Sequence, residues 1–362
     1  MTSGIFNSFQ FGDLTLSNRM VMAPMTRNRA NEQGLVSAMM VTHYQQRATA
    51  GLIIAESSPV SAQAVGYPNT PGLFSKQQVQ SWKPLIKAVQ DEGGHIFAQL
   101  QHCGRISHSS LQADNALPVA PSALKPNGQA VTYSGMQDFE TPRALETKEV
   151  SQIVEQFRLA AKMAKQAGFD GIEVHGANGY IIDQFLRDGS NQRSDVYGGN
   201  AENRLRLLNE ILDAVCSVWP ANRVGVRLTP ENSFNSMSDS NPQQHFEYFV
   251  TQLNIRKLAY VHVLEGDMMS KSSELDYSAL RALFSGTYIA NNGYDLKKAQ
   301  SKIACGDASL VAFGIPFLAN PDLVHRYSEN LPLNQADPNT FYGGNEVGYT
   351  DYAFYHSEQA MV

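Results

Sequence analysis

An eight-stranded parallel (β/α)8 barrel of the TIM type is the fold the sequence predicts, and three observations predict it. Eight short apolar runs recur along the 362 residues. Amphipathic helix patterns separate them, with no block of consecutive strands. Polar residues suited to chemistry gather at the C-terminal ends of several runs, which is where a barrel of parallel strands opens its mouth.

The elements follow in order. Within residues 1–17, IFNSFQFGDLTL predicts a hairpin that plugs the barrel bottom. The strand candidates are RMVMAP (19–24), GLIIAES (51–57), HIFAQLQ (95–101), GIEVHG (171–176), RVGVRLT (223–229), YVHVLE (260–265), TYIANN (287–292) and SLVAFG (309–314). Each run is bounded by Gly, Pro or polar residues, as strands buried on both faces are. Between them, SKQQVQSWKPLIKAVQDEGG offers a serine N-cap, an apolar face of Val79, Trp82, Leu85, Ile86 and Val89, and a glycine stop. KEVSQIVEQFRLAAKMAKQAGFD repeats the design and ends at Gly168, and AENRLRLLNEILDAVCSVW and DLKKAQSKIACGD do likewise. Such alternation implies right-handed crossovers between parallel strands. The competing architecture is an open doubly wound sheet, which usually carries a glycine-rich fingerprint after its first strand. Here that position reads APMTRNRA. The whole chain, 1–362, reads as one barrel domain. Residues 103–147 form an insertion expected to be a lid over the mouth, and residues 331–362, with FYGGNEVGYTDY, are expected to fold back across it.

Composition narrows the function. Apolar residues make up 43% and charged residues 17%, enough for a large core. A net charge of -6 without a Lys/Arg run argues against nucleic acid. No run approaches the ~18 apolar residues of a membrane span, and no charged-then-apolar leader is visible, so a cytoplasmic protein is expected. Cys103, Cys216 and Cys305 are odd in number and far apart, which suggests neither disulfides nor a metal site.

His175 and Asn178 leave the fourth strand three positions apart, on a glycine-bearing turn. Two converging donors would bind a carbonyl, nitro or phenolate oxygen. The bland reading is a satisfied buried histidine and a turn asparagine. Tyr180 follows, and a phenol there could protonate a carbanion or simply be a wall aromatic. Arg227 lies within the fifth strand and demands an anionic partner, either a ligand or a barrel glutamate such as Glu173 or Glu56. Gln99 ends the third strand with both a donor and an acceptor, beside His102, and Thr26 gives a hydroxyl at the first. Backbone N–H groups around Asn292, Gly293 and Gly314, after strands seven and eight, suit a phosphate.

With APMTR, AQLQHCGRISH, HGANGYIIDQFL, NQRSDVYGG, ENRLRLL, GVRLTP, NNGYD and FLANPDLVHR in place, the chain resembles the Old Yellow Enzyme family of flavin-dependent ene reductases over nearly its whole length. The resemblance implies an eight-stranded barrel with FMN at its mouth and NADPH or NADH as reductant. It implies that Pro24, Met25, Thr26, Ser57, Gln99, Arg227, Asn292, Gly293 and Gly314 hold the flavin. It implies further that His175 and Asn178 grip the substrate oxygen, that Tyr180 donates the proton, and that Tyr67, Gln101 and Tyr349 wall the substrate pocket. Ile315 stands where the family typically has a phosphate-binding arginine. That motivates an alternative, a flavin-poor barrel that binds phenols or electrophiles. A further alternative is a flavin reductase for nitrate esters, nitroaromatics or quinones. The expected partner is a small electrophilic alkene, and the chain is expected to be a monomer or homodimer.

Overall fold

The hairpin comes first. Strands β1 (Phe9–Phe11) and β2 (Leu14–Leu16) pair antiparallel, Phe9 opposite Leu16, around Gly12. The first barrel strand is β3 (Met20–Met22), followed by α1 (Ala38–Gln45), β4 (Leu52–Ile54), the short β5 (Ser58–Pro59), α2 (Lys76–Asp91) and β6 (Ile96–Gln101). The insertion holds β7 (Val119–Ala120), a hairpin of β8 (Gln129–Thr132) and β9 (Gly135–Asp138), and β10 (Arg143–Ala144), which returns to pair with β7. Then come α3 (Thr147–Ala167), β11 (Gly171–Gly176), α4 (Ile181–Leu186), α5 (Ala201–Cys216), β12 (Val224–Leu228), α6 (Pro242–Ile255) and β13 (Tyr260–Leu264). The chain continues through α7 (Tyr277–Ala282), β14 (Thr287–Asn291), α8 (Leu296–Cys305), β15 (Leu310–Phe313), α9 (Ile315–Ala319) and α10 (Leu323–Ser328). This computed structural model describes residues 4–355; the rest of the expected C-terminal segment, 356–362, lies outside them.

Strands β3, β4, β6, β11, β12, β13, β14 and β15 pair in parallel, and β15 closes on β3 with Val311 opposite Met20. The ring is the closed barrel the sequence predicts, not the open sheet. All eight expected runs became its strands, trimmed where their ends peel into the loops. Helix boundaries fell where the caps predict. Ser75 and Gln78 form a reciprocal capping box at the start of α2, and Gly168, at φ 101°, ends α3 in the left-handed conformation.

Two apolar regions hold the fold. One lies between barrel and helices. The other fills the barrel floor, where Phe11 and Leu16 of the hairpin pack with Val21, Leu52, Ile54, Phe97, Tyr260, Ile289 and Leu310. Gly225 of β12 makes room there, since a Cβ at that position would stand 2.1 Å from the Tyr260 ring. With its floor packed solid, the barrel leaves its C-terminal end as the place for a site. No helix among the described residues is long and apolar enough to cross a membrane.

Candidate active site

The parallel registers set polar side chains at two levels. Glu173 lies opposite Gln99, while His175 lies opposite Arg227 and Arg227 opposite His262. Glu173 is fully buried. Its Oε1 accepts a 2.7 Å hydrogen bond from Gln99 Nε2, and its Oε2 lies 2.9 Å from His262 Nδ1. Burial pushes the Glu173 carboxyl up, but His262 and Arg227 outweigh it and leave it below its ordinary value. Arg227 donates from Nη2 to Asn291 Oδ1 at 2.9 Å, and its buried Nε finds no partner among the described residues. Neither Glu173 nor Glu56 forms a close ion pair with it, so Glu173 acts on Arg227 through space. A buried guanidinium with an unused N–H calls for an acceptor from outside the chain.

One level up, His175 is buried, its Nδ1 without a partner among the described residues. Burial first, then Arg227 and His262, hold its pKa far below the ordinary imidazole value, so the ring is neutral. Asn178 sits in a left-handed turn at φ 56°. Its N–H donates to Thr229 Oγ1 at 2.8 Å, its carbonyl accepts from Asn235 Nδ2 at 2.8 Å, and its Oδ1 accepts from Asn232 Nδ2 at 3.2 Å. The side-chain NH2 is left to donate elsewhere. Gly179, at φ 75°, is needed beside it, since a Cβ would stand 2.7 Å from that of Asn235.

The Tyr180 ring meets His175 edge-on at 5.1 Å, and its hydroxyl lies 3.0 Å from that of Tyr67. Around it pack Cys103, Ile106, Ala130 and Phe139, all four from the insertion. Burial raises the Tyr180 pKa and Cys103 adds to it, while Tyr67 and Gln101 oppose. The phenol therefore keeps its proton at neutral pH, as an acid must. Gln101 donates to Cys103 Sγ at 3.1 Å. Burial lifts the Cys103 thiol to about 12, so it is no nucleophile. His102 accepts the Gly104 N–H at 3.0 Å and serves the turn.

At the opposite rim, Thr26 and Ser57 hydroxyls lie 3.2 Å apart, next to buried Pro24 and half-buried Met25. A Cβ on Gly314 would stand 3.0 Å from Met25 Sδ, whereas at Gly293 it would meet open space. Asn292, at φ 99°, is tied through Nδ2 to the Glu265 carbonyl at 2.7 Å. Ile315 heads α9 and is half exposed.

One expected pocket residue is corrected. Tyr349 is fully enclosed, stacked on His43 at 4.0 Å beneath the guanidinium groups of Arg27 and Arg29. The cause is a pair of long-range anchors: Arg27 donates to the carbonyls of Phe341 and Gly348, and Arg29 to those of Thr340 and Asn345. The chain winds around these two cations and turns Tyr349 inward. Tyr342 of the same segment is exposed instead. Sequence reasoning did not separate the two, although Tyr342 stands in the FYGG half of that stretch. It also gave Glu173 no part beyond pairing Arg227, although two-residue alternation in GIEVH puts Glu173 on the His175 face.

A family model described as NADH:flavin oxidoreductase / NADH oxidase matches residues 4–334. The curated 12-oxophytodienoate reductase 1 of Oryza sativa subsp. japonica is 41% identical over 359 residues, covering 97% of this chain and 93% of the relative. The solved morphinone reductase in complex with tetrahydroNAD superposes with a TM-score of 0.93 at 44% identity, over 98% of each chain. An old yellow enzyme homologue from Zymomonas mobilis does so with a TM-score of 0.94 at 38% identity, over 97% of this chain and 99% of that one. Family match, full-length coverage and barrel geometry agree: this chain is an oxidoreductase and belongs to the NADH:flavin oxidoreductase / NADH oxidase family.

Proposed function

We propose that the protein is an FMN-dependent reductase of alkenes conjugated to a carbonyl or nitro group, driven by NADPH or NADH. The observation that carries the reading is the set of unpartnered polar atoms at the mouth. Arg227 Nε and His175 Nδ1 are buried without partners, beside a tyrosine that holds its proton. The residues fit a flavin. Arg227 and Gln99 present a donor and an acceptor to a pyrimidine edge, Thr26 adds a hydroxyl, and Gly293 faces open space where a phosphate could approach backbone N–H groups. Bound FMN would supply the redox chemistry, taking hydride from the nicotinamide and passing it to the alkene.

The chain's own residues then have distinct tasks. His175 and Asn178 hold the substrate oxygen by two donors and draw charge onto it, which makes the distal alkene carbon electrophilic. Because His175 is neutral, it does this by hydrogen bonding and gives up no proton in the step. Tyr180 protonates the carbon next to the activating group. Tyr67 and Gln101 wall this end of the pocket, and residues 103–147 close over it as a lid, with Ala130 and Phe139 against Tyr180. The flavin-poor binding alternative is not favoured, since the relatives are reductases. Nitro compounds and quinones would use the same oxygen-binding pair. The site of action is the cytoplasm.

The test is an absorbance spectrum of the purified protein with and without added FMN, followed by NADPH and then 2-cyclohexenone under anaerobic conditions. A flavin band that bleaches with NADPH and returns with the enone supports the reading. Protein that stays colourless in excess FMN refutes it.

A further inference from the structure

Glu173 is fully buried, and no step above uses it. An ionised carboxylate only accepts hydrogen bonds. Gln99 must therefore turn its NH2 group toward Glu173, and it does so at 2.7 Å. Its Oε1 is left facing away, with no hydrogen bond from any described residue. His262 grips the other carboxylate oxygen at 2.9 Å, so the carboxylate is fixed from both sides. Close by, Arg227 keeps its Nε–H unpaired. Together they expose one acceptor and one charged donor, complementary to the adjoining N–H and C=O of an imide. Were the Gln99 amide reversed, two donors would meet and the imide N–H would have no acceptor.

We infer that Glu173, braced by His262, is a positioning residue that sets the Gln99 amide as an acceptor and offsets the Arg227 charge, selecting the imide edge of the flavin and tuning its reduction. The inference rests on the FMN reading above. It separates orientation from charge, and two kinds of substitution test them apart.

Glu173→Gln can still accept from Gln99 through its carbonyl and donate to His262, so it keeps the orientation and loses the charge. With Arg227 no longer offset, reduced FMN should tighten relative to oxidised FMN by about tenfold, a rise of about 30 mV for a two-electron couple. Oxidised FMN affinity should change less than about threefold. Glu173→Leu and Gln99→Leu should each weaken FMN binding to the deflavinated protein by about tenfold, and the double variant should be no weaker than either alone.

Fluorescence titration of FMN reads the affinities, and dye-coupled reduction reads the potential. Single losses that multiply in the double variant overturn the positioning role, and an unmoved potential in Glu173→Gln overturns the charge role. If Glu173→Leu fails to fold, Glu173→Gln with and without Gln99→Leu still decides the charge role. The potential must rise by the same amount in both backgrounds, and a rise lost with Gln99→Leu overturns the separation of charge from orientation. Wild-type protein that binds no FMN would instead sink the functional reading itself.

Discussion

Tyr180→Phe removes one oxygen atom and leaves the ring. The edge-on contact with His175 at 5.1 Å survives, as does the packing against Ile106 and Phe139. The lost hydrogen bond is the 3.0 Å contact with the Tyr67 hydroxyl. A neutral bond of this kind costs about 1 kcal/mol, and half-buried Tyr67 can recover a water partner. The fold should therefore stand. The chemical cost is larger. General-acid catalysis contributes about two to four powers of ten, or roughly 3–5 kcal/mol of barrier. That loss should fall on alkene reduction alone, because passing hydride from the nicotinamide to the flavin takes no proton from Tyr180. Anaerobic stopped-flow separates the two: flavin bleaching by NADPH should stay within about threefold of wild type, while reoxidation by 2-cyclohexenone should slow by a hundredfold or more. Equal slowing of both phases, or unchanged reoxidation, would refute Tyr180 as the acid.

Three other outcomes follow from particular contacts. Burial lifts the Glu56 carboxyl from 4.5 to about 7, against hydrogen bonds from the Arg27 N–H and the Tyr44 hydroxyl. A folded value above the unfolded one means the folded state holds the proton more tightly. This group's stabilisation is therefore complete below pH 4.5 and lost as pH rises through 7, about 3 kcal/mol in all and about 2 kcal/mol between pH 5 and 7; urea melts at those two pH values should lose that smaller difference in Glu56→Gln, and an unchanged difference would count against it. Gly225→Ala drives a methyl group to 2.1 Å from the Tyr260 ring, which Phe11 and Phe97 hold at 5.8 and 6.1 Å. Its urea midpoint should fall by the equivalent of about 1–3 kcal/mol, and a neutral substitution would show that the floor yields. Iodoacetamide should label exposed Cys305 in the native protein and leave buried Cys103 untouched until the protein unfolds, as peptide mapping would show.

Much of this could be read from the chain because a barrel strand buried on both faces leaves a signal that survives without its neighbours. VGVRL and VHVL are apolar runs with one polar residue each, Arg227 and His262, and a polar residue inside such a run needs a reason. The turn after β11 was legible too, since Gly176 directly follows His175 and Gly179 directly follows Asn178. Tyr349 was misplaced for a physical reason. Tyr342 and Tyr349 both sit beside glycines in a loop without periodicity, and nothing local says which one turns inward. The answer comes from Arg27 and Arg29, more than three hundred residues away, whose hydrogen bonds to the loop set its path. Glu173 escaped a positive role because its partners, Gln99 and His262, come from two other strands, and only closing the ring brings all three together.

The same arginines bear on how the protein is made. Arg27, next to Thr26, draws its acceptors from residues 340–348, across a separation of 314 to 321 positions for its bonds to Phe341 and Gly348. The barrel itself closes only when β15 meets β3. During synthesis the two cations must therefore wait in water until residues 340–348 have left the ribosome. The anchoring of this rim comes late, and a chain cut before Thr340 would strand two guanidinium groups there.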